Sequence, residues 1–193
     1  MTTTKKFFKH LKTIIKHRRS VRRVCFLLHI YWRGIKHDLS KFSLTEIKLY
    51  KFFSGTHSPH EQLRKKYGYS PVFNHHYHKN DHHWEYWIDF SEETGQPVPI
   101  KMPYNAVLEM FADFIGAGQT YEKNWTTRSP LRYYETKCRN KRIMHPQSEK
   151  LLVLLLTTLT KYQSVKKFSR DFYLRVRPIL IKRYANNNIP ASL

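Results

Sequence analysis

Residues 5–33 contain neither glycine nor proline, and the apolar side chains Phe8, Leu11, Ile15, Val21, Val24, Leu28 and Trp32 recur at steps of three, four or six. That is the period of an amphipathic helix, with a basic opposite face. The spacing predicts one helix up to Gly34, which ends or kinks it. No stretch of useful length alternates apolar and polar residues as a half-buried strand would. The expected fold is therefore all-α, and 193 residues suffice for one compact helical domain with its own core.

Punctuation along the chain supports this reading. Ser43 is a good N-cap, and Glu46 three residues on completes a capping box before "IKLYKFF". "SGTHSPH" and "KKYGYSP" are turn-rich connections, with His57 and His60 read as loop histidines. Helices are expected over 71–79, in "DHHWEYWIDF" after Asn80 and Asp81, in "YNAVLEMFADFIGAG" after Pro103, around "LRYYETKCRN", and over "PQSEKLLVLLLTTLTKYQ". "SEETGQPVPIKMP" reads as a loop. From Ser164 onward seven basic residues face one acid, so the chain divides into a helical domain, 1–163, and a basic C-terminal extension, 164–193.

Lysine and arginine number 35 against 14 acids, a formal charge of +21. The imbalance suits a polyanionic partner and does not choose among nucleic acid, nucleotide and anionic membrane. Eleven of the basic residues fall within the first 37 positions, where no acid occurs. "VCFLLHIYW" is interrupted by His29 and is followed by no cleavage pattern, against a signal peptide, and "LLVLLL" is far short of the roughly 20 residues of a transmembrane helix. Two cysteines, Cys25 and Cys138, without metal-site spacing fit a reducing, cytoplasmic setting.

The residues able to do chemistry are concentrated. Nine of the twelve histidines lie between His29 and His83, five of them within positions 75–83. Few cores satisfy so many imidazoles. On one continuous helix His75 would share a face with His82, and His76 with His83, whereas a break at Asn80 would change the pairing. In "HDLSKF", His37 and Asp38 can offer nitrogen and oxygen to the same or neighbouring divalent ions, with Lys41 available to a phosphate. Glu109 and Asp113 lie one turn apart on an otherwise apolar helix and need a partner there, for which a metal would serve. Trp84, Tyr86 and Trp87 read as core aromatics.

The ordered blocks "HDLSKFS", "GYS" with "HHYHKNDHHWEYW", "KMP" with "EMFAD", and "MHP" before a leucine-rich helix resemble a family of small bacterial and bacteriophage proteins of unknown function, over residues 7 to about 163. More loosely, the chain is similar to the HD-superfamily metal-dependent phosphohydrolases. "HDLSK" looks like the HDxxK form of the HD-GYP branch, and "HHWE" like its His-His-Glu block, although the Gly-Tyr-Pro that should follow is missing. That similarity implies an HD-like helical fold holding one or two divalent ions (Mn, Fe, Zn or Mg). The ligands it implies are His37, Asp38, His76, His83 and Asp113, with Asp38 bridging. The opening histidine is His10, His17 or His29, of which His17 matches the first family better. Lys41 would neutralise phosphate charge, and His82 or Glu85 would move a proton. The expected function is hydrolysis of a phosphoester in a nucleotide or nucleic acid. The alternative is a non-catalytic nucleic-acid-binding protein whose histidines hold a structural metal or simply pack.

Overall fold

The first helix stops seven residues before Gly34. In the computed structural model, which describes residues 3–48, 59–140 and 142–190, α1 spans Thr3–Leu27. His29 adopts a left-handed φ of 57°, and the Ile30 N–H returns 3.0 Å to the Cys25 carbonyl, the closing bond of a Schellman turn. The chain then folds back as α2, Tyr31–Lys36. Gly34 lies inside this second helix, where a Cβ would sit 2.7 Å from Cys25 Cβ, so it marks a close helix contact and not a terminus. Arg18 of α1 donates to the carbonyls of His37 (2.7 Å) and Ile35 (3.1 Å), satisfying the end of α2.

The buried residues of α1 are His10, Ile14, His17, Val21, Val24 and Cys25, with Leu28 buried just past its end, whereas Phe8 and Trp32 are exposed. The apolar spacing had the period right and the face partly wrong, because two of the inward positions are histidines. This stripe packs on α6, Tyr104–Tyr121, whose residues from Ala106 to Ala112 are all buried. At Gly116 of α6 a Cβ would fall 2.4 Å from Val21 Cγ2, so the glycine sets how closely α1 and α6 approach.

Around this pair run α3 (Leu44–Ile47), α4 (Pro59–Tyr67), α5 (Pro71–Lys79), α7 (Ser129–Tyr133, continued as a wide turn through Cys138) and α8 (Pro146–Leu159). Helix α4, which contains His60, forms where a turn-rich connection was expected, and the continuation of α3 through "LYKFF" lies outside the described residues, as does His57. The expected helix at "DHHWEYWIDF" is replaced. A 3-10 turn covers Trp84–Trp87, and Ile88–Phe90 (β1) pairs antiparallel with Pro97–Pro99 (β2), Ile88 opposite Pro99. Two prolines over three positions make Pro97–Pro99 extended, and Gly95 at φ 63° closes the connection.

From Ser164 the chain forms α9 (Val165–Asp171), a wide turn over Phe172–Val176, and α10 (Arg177–Ala185). Phe168, Phe172, Leu180, Tyr184 and Ile189 belong to the same buried cluster as α6 and α8. The Tyr184 hydroxyl meets Ser148 Oγ at 2.8 Å and donates to the Met102 carbonyl. The packing thus carries no seam at residue 163. The architecture is all-α with one small hairpin, and no helix among the described residues is long and apolar enough to cross a membrane.

Candidate metal centre

Seven imidazole and carboxylate side chains from five parts of the chain converge beside the α1–α6 contact. His17 comes from α1, His37 and Asp38 from the segment after α2, His76 from α5, His82 from the turn beyond it, and Glu109 and Asp113 from α6. All except Asp113 are buried. Asp38 is at the middle, in a left-handed conformation (φ 53°) that turns its carboxylate inward between the helices.

The two Asp38 oxygens face different partners. Oδ2 lies 3.5 Å from His17 Nε2 and 3.4 Å from His37 Nε2, and these nitrogens lie 3.1 and 3.7 Å from Asp113 Oδ1. Oδ1 lies 3.2 Å from His76 Nε2 and 3.5 Å from His82 Nε2. Two donors each about 2.1 Å from one ion at angles of 90–110° stand roughly 3.0–3.4 Å apart, so these separations suit shared cations. Asp38 Oδ1, His82 Nε2 and Asp113 Oδ1 are buried and form no hydrogen bond, which leaves their lone pairs to another acceptor of charge. The donors group as Asp38, His76, His82 and His83 on one side and His17, His37 and Asp113 on the other, so the buried residues could hold a metal ion.

A second layer fixes the imidazoles. His37 Nδ1 donates to Glu109 Oε1 at 2.9 Å, and His82 Nδ1 reaches the same oxygen at 3.1 Å. A carboxylate only accepts, so each ring meets it with an Nδ1–H and turns Nε2 toward Asp38. Glu109 Oε2 is held by Arg33 Nε at 2.6 Å, and Arg33 also pairs with Asp81 at the start of the histidine turn. His76 Nδ1 is met by Ser40 Oγ (3.1 Å) and Glu46 Oε1 (3.3 Å), while Asn80 Nδ2 ties Ser40 and the His76 carbonyl together at 2.7 Å each.

The field differs from one imidazole to the next: burial holds His37 and His83 below the usual histidine value, whereas at His17, His76 and His82 burial is outweighed by neighbouring carboxylates, which raise it. Burial lowers the proton affinity of the His76 imidazole, but Asp38 and Glu46 outweigh it and raise its pKa to about 9. Burial alone would raise Glu109, yet hydrogen bonds from His37 and His82 bring it down to about 2. Burial likewise opposes ionisation of Asp113, and His17 holds it well below the carboxylate range. Lys41 donates to Asp38 Oδ2.

Other residues singled out in the sequence fall elsewhere. His10 is buried near Lys41 but joins no donor group, and His29 stacks on Tyr173 at the surface, 3.7 Å between ring centroids. Of the three candidate opening histidines, His17 is the one at the centre. His75 is 3.5 Å from Ser43 Oγ, outside it. Because α5 ends at Lys79, His76 is grouped with His82 as well as His83, a pairing that a continuous helix would not give. His82, read as a proton carrier, stands among the metal donors, and Glu85 lies outside the donor groups. Glu85 instead lines an adjoining cavity of about 590 Å³ together with His83, Asp113 and Trp84. Trp84 and Trp87 pack partly buried on the core, but Tyr86 is 45% exposed. Arg33 and Ser40 were not singled out, and Glu46 and Asn80 were read only as helix-end residues; their contacts with His76 and Glu109 appear only in the fold.

A family of unknown function, DUF5662, matches residues 6–158. No curated protein and no solved structure matches the chain.

Proposed function

The chain belongs to the DUF5662 family of unknown function, and we propose that it is a metal-dependent phosphohydrolase or phosphodiesterase acting on a nucleotide or nucleic acid. The observation that carries the reading is the division of Asp38: one oxygen toward His17 and His37, the other toward His76 and His82. A carboxylate so placed could serve two sites, the first of which Asp113 would complete, with His83 beside the second. Imidazole-rich donors favour Zn, Fe or Mn over Mg. Divalent ions there would stabilise charge on phosphoryl oxygens and acidify a water for in-line attack.

The chain's own residues supply the rest. Glu109 and Arg33 hold His37 and His82 in one orientation. Lys41, next to Asp38, neutralises phosphate charge. Hydrolysis adds water across the P–O bond: oxygen from water joins phosphorus, and the departing ester oxygen takes up a proton. Glu85, whose carboxyl is raised by burial, is the group of the adjoining cavity suited to donate it.

The test is phosphate or p-nitrophenol release from p-nitrophenyl phosphate and bis(p-nitrophenyl) phosphate by protein reconstituted with Mn or Zn. The expected result is turnover abolished by Asp38→Asn and by chelator. Absence of turnover in fully metal-loaded wild-type protein on a broad panel of nucleotides contradicts it.

A specific observation favours the second reading, nucleic-acid binding without catalysis. Lys5, Lys9, Lys12, Lys16, Arg19, Arg22 and Arg23 are all exposed along α1. Such a stripe attracts polyphosphate by counterion release.

A further inference from the structure

Arg64 and Arg142 line the same cavity as His83 and Asp113 of the candidate centre. Neither guanidinium forms a close ion pair among the described residues, where the arginine pairs are those of Arg33, Arg132 and Arg170, although Glu85 lies near enough to feel the charge of both. Arg142 is held by two sulfur atoms, Cys138 Sγ at 3.2 Å and Met110 Sδ at 3.8 Å, and lies over the Phe114 ring at 5.0 Å. Arg64 lies 4.6 Å over Phe73 and donates to the Tyr77 hydroxyl at 3.4 Å. Thiols and thioethers are weak acceptors, and a long bond to a phenol leaves most of a guanidinium's five donors unused. Three carboxylates line the cavity: Asp113 belongs to the candidate centre, Glu122 is paired with Arg132, and Glu85 interacts with both arginines at longer range without forming an ion pair with either.

A planar guanidinium fixed on an aromatic face presents its N–H fork to phosphate or carboxylate. Two of them in a cavity bounded by a phosphoester-cleaving centre call for a ligand with two anionic groups. Trp84 and Tyr133, which also line the cavity, are aromatic rings on which a planar ring can stack. The volume, about 590 Å³, is that of a small-molecule site and too small for a duplex. We infer that the cavity selects small phosphoesters bearing a second anionic group, of which a nucleoside 3′,5′-bisphosphate is the fitting class. One phosphate would sit at the metal centre and the other on Arg64 and Arg142. The inference rests on the phosphohydrolase reading for the role of its first phosphate only.

The test compares adenosine 5′-monophosphate with adenosine 3′,5′-bisphosphate by calorimetric titration into full-length, Mn-loaded protein, with phosphate release followed in parallel. Wild type should bind the bisphosphate about tenfold or more tightly than the monophosphate. The preference should collapse in Arg142→Met and Arg64→Met while Mn content and helicity stay unchanged. Should Arg142→Met fail to fold, the exposed Arg64 carries the comparison. Equal affinities in wild type, or a preference that survives the Arg64 substitution, overturn the inference. An arginine-dependent preference without phosphate release supports this subsite and counts against hydrolysis alone.

Discussion

Glu109 Oε1 accepts from His37 Nδ1 at 2.9 Å, and the same oxygen is 3.1 Å from His82 Nδ1. One carboxylate therefore orients an imidazole on each side of Asp38. Glu109→Gln keeps the volume but lets only its carbonyl oxygen accept, and it removes the charge that holds Arg33. We expect metal affinity to fall about 10–100-fold, the usual cost of losing a second-layer partner, with little loss of helicity. Metal titration of the variant against wild type checks this, and unchanged affinity contradicts the orienting role.

Lys41 and His37 should separate in their effects. His37→Ala removes a proposed ligand nitrogen and should strip or weaken metal binding along with activity. Lys41→Ala should leave the metal bound but lower turnover, because its ammonium meets Asp38 from outside the donor set. Metal content and rate measured on the same samples distinguish the two. Loss of metal from Lys41→Ala would contradict the division of roles.

The α1–α6 spacing should couple stability to the site. Gly116→Ala places a methyl against Val21, and overpacking of this kind costs about 1–3 kcal/mol. The same helices carry His17 and Asp113, 3.1 Å apart. A lowered midpoint in urea together with weakened metal binding is expected. A variant as stable as wild type would mean that the contact relaxes freely.

Residues 164–190 should be required for folding. Phe168 is fully buried, and Phe168→Ala should cost about 3–5 kcal/mol. A chain ending at residue 163 should lose cooperative thermal unfolding, as seen by circular dichroism. A truncated chain that unfolds cooperatively would instead establish the extension as an appendage.

Much of this arrangement was legible in the sequence, for reasons that can be named. Period alone marked α1 and α6, and the adjacency of His37 and Asp38 pointed to the centre before any packing was known. The dense histidines of 75–83 pointed to the same place. Other features were set by packing. His29 ends α1 in a left-handed turn that no glycine announces, since the Ile30 N–H bond and the fold-back of α2 on Cys25 hold it. His82, expected to carry a proton, lies in one donor group with His76 because α5 stops at Lys79, where Asn80 binds Ser40 forty residues away. The tail looked detachable because its charge is visible in composition, while Phe168, Phe172 and Tyr184 show their role only once α6 and α8 are in place.

The most direct test is metal stoichiometry. Purified protein stripped with chelator, reloaded with Zn or Mn and desalted should retain two ions per chain by plasma mass spectrometry. Asp38→Ala should reduce this to one or none, because both groups of histidines share its carboxylate. Retention of no metal by wild type, or a content unchanged in Asp38→Ala, would contradict the account and return these histidines to a packing role.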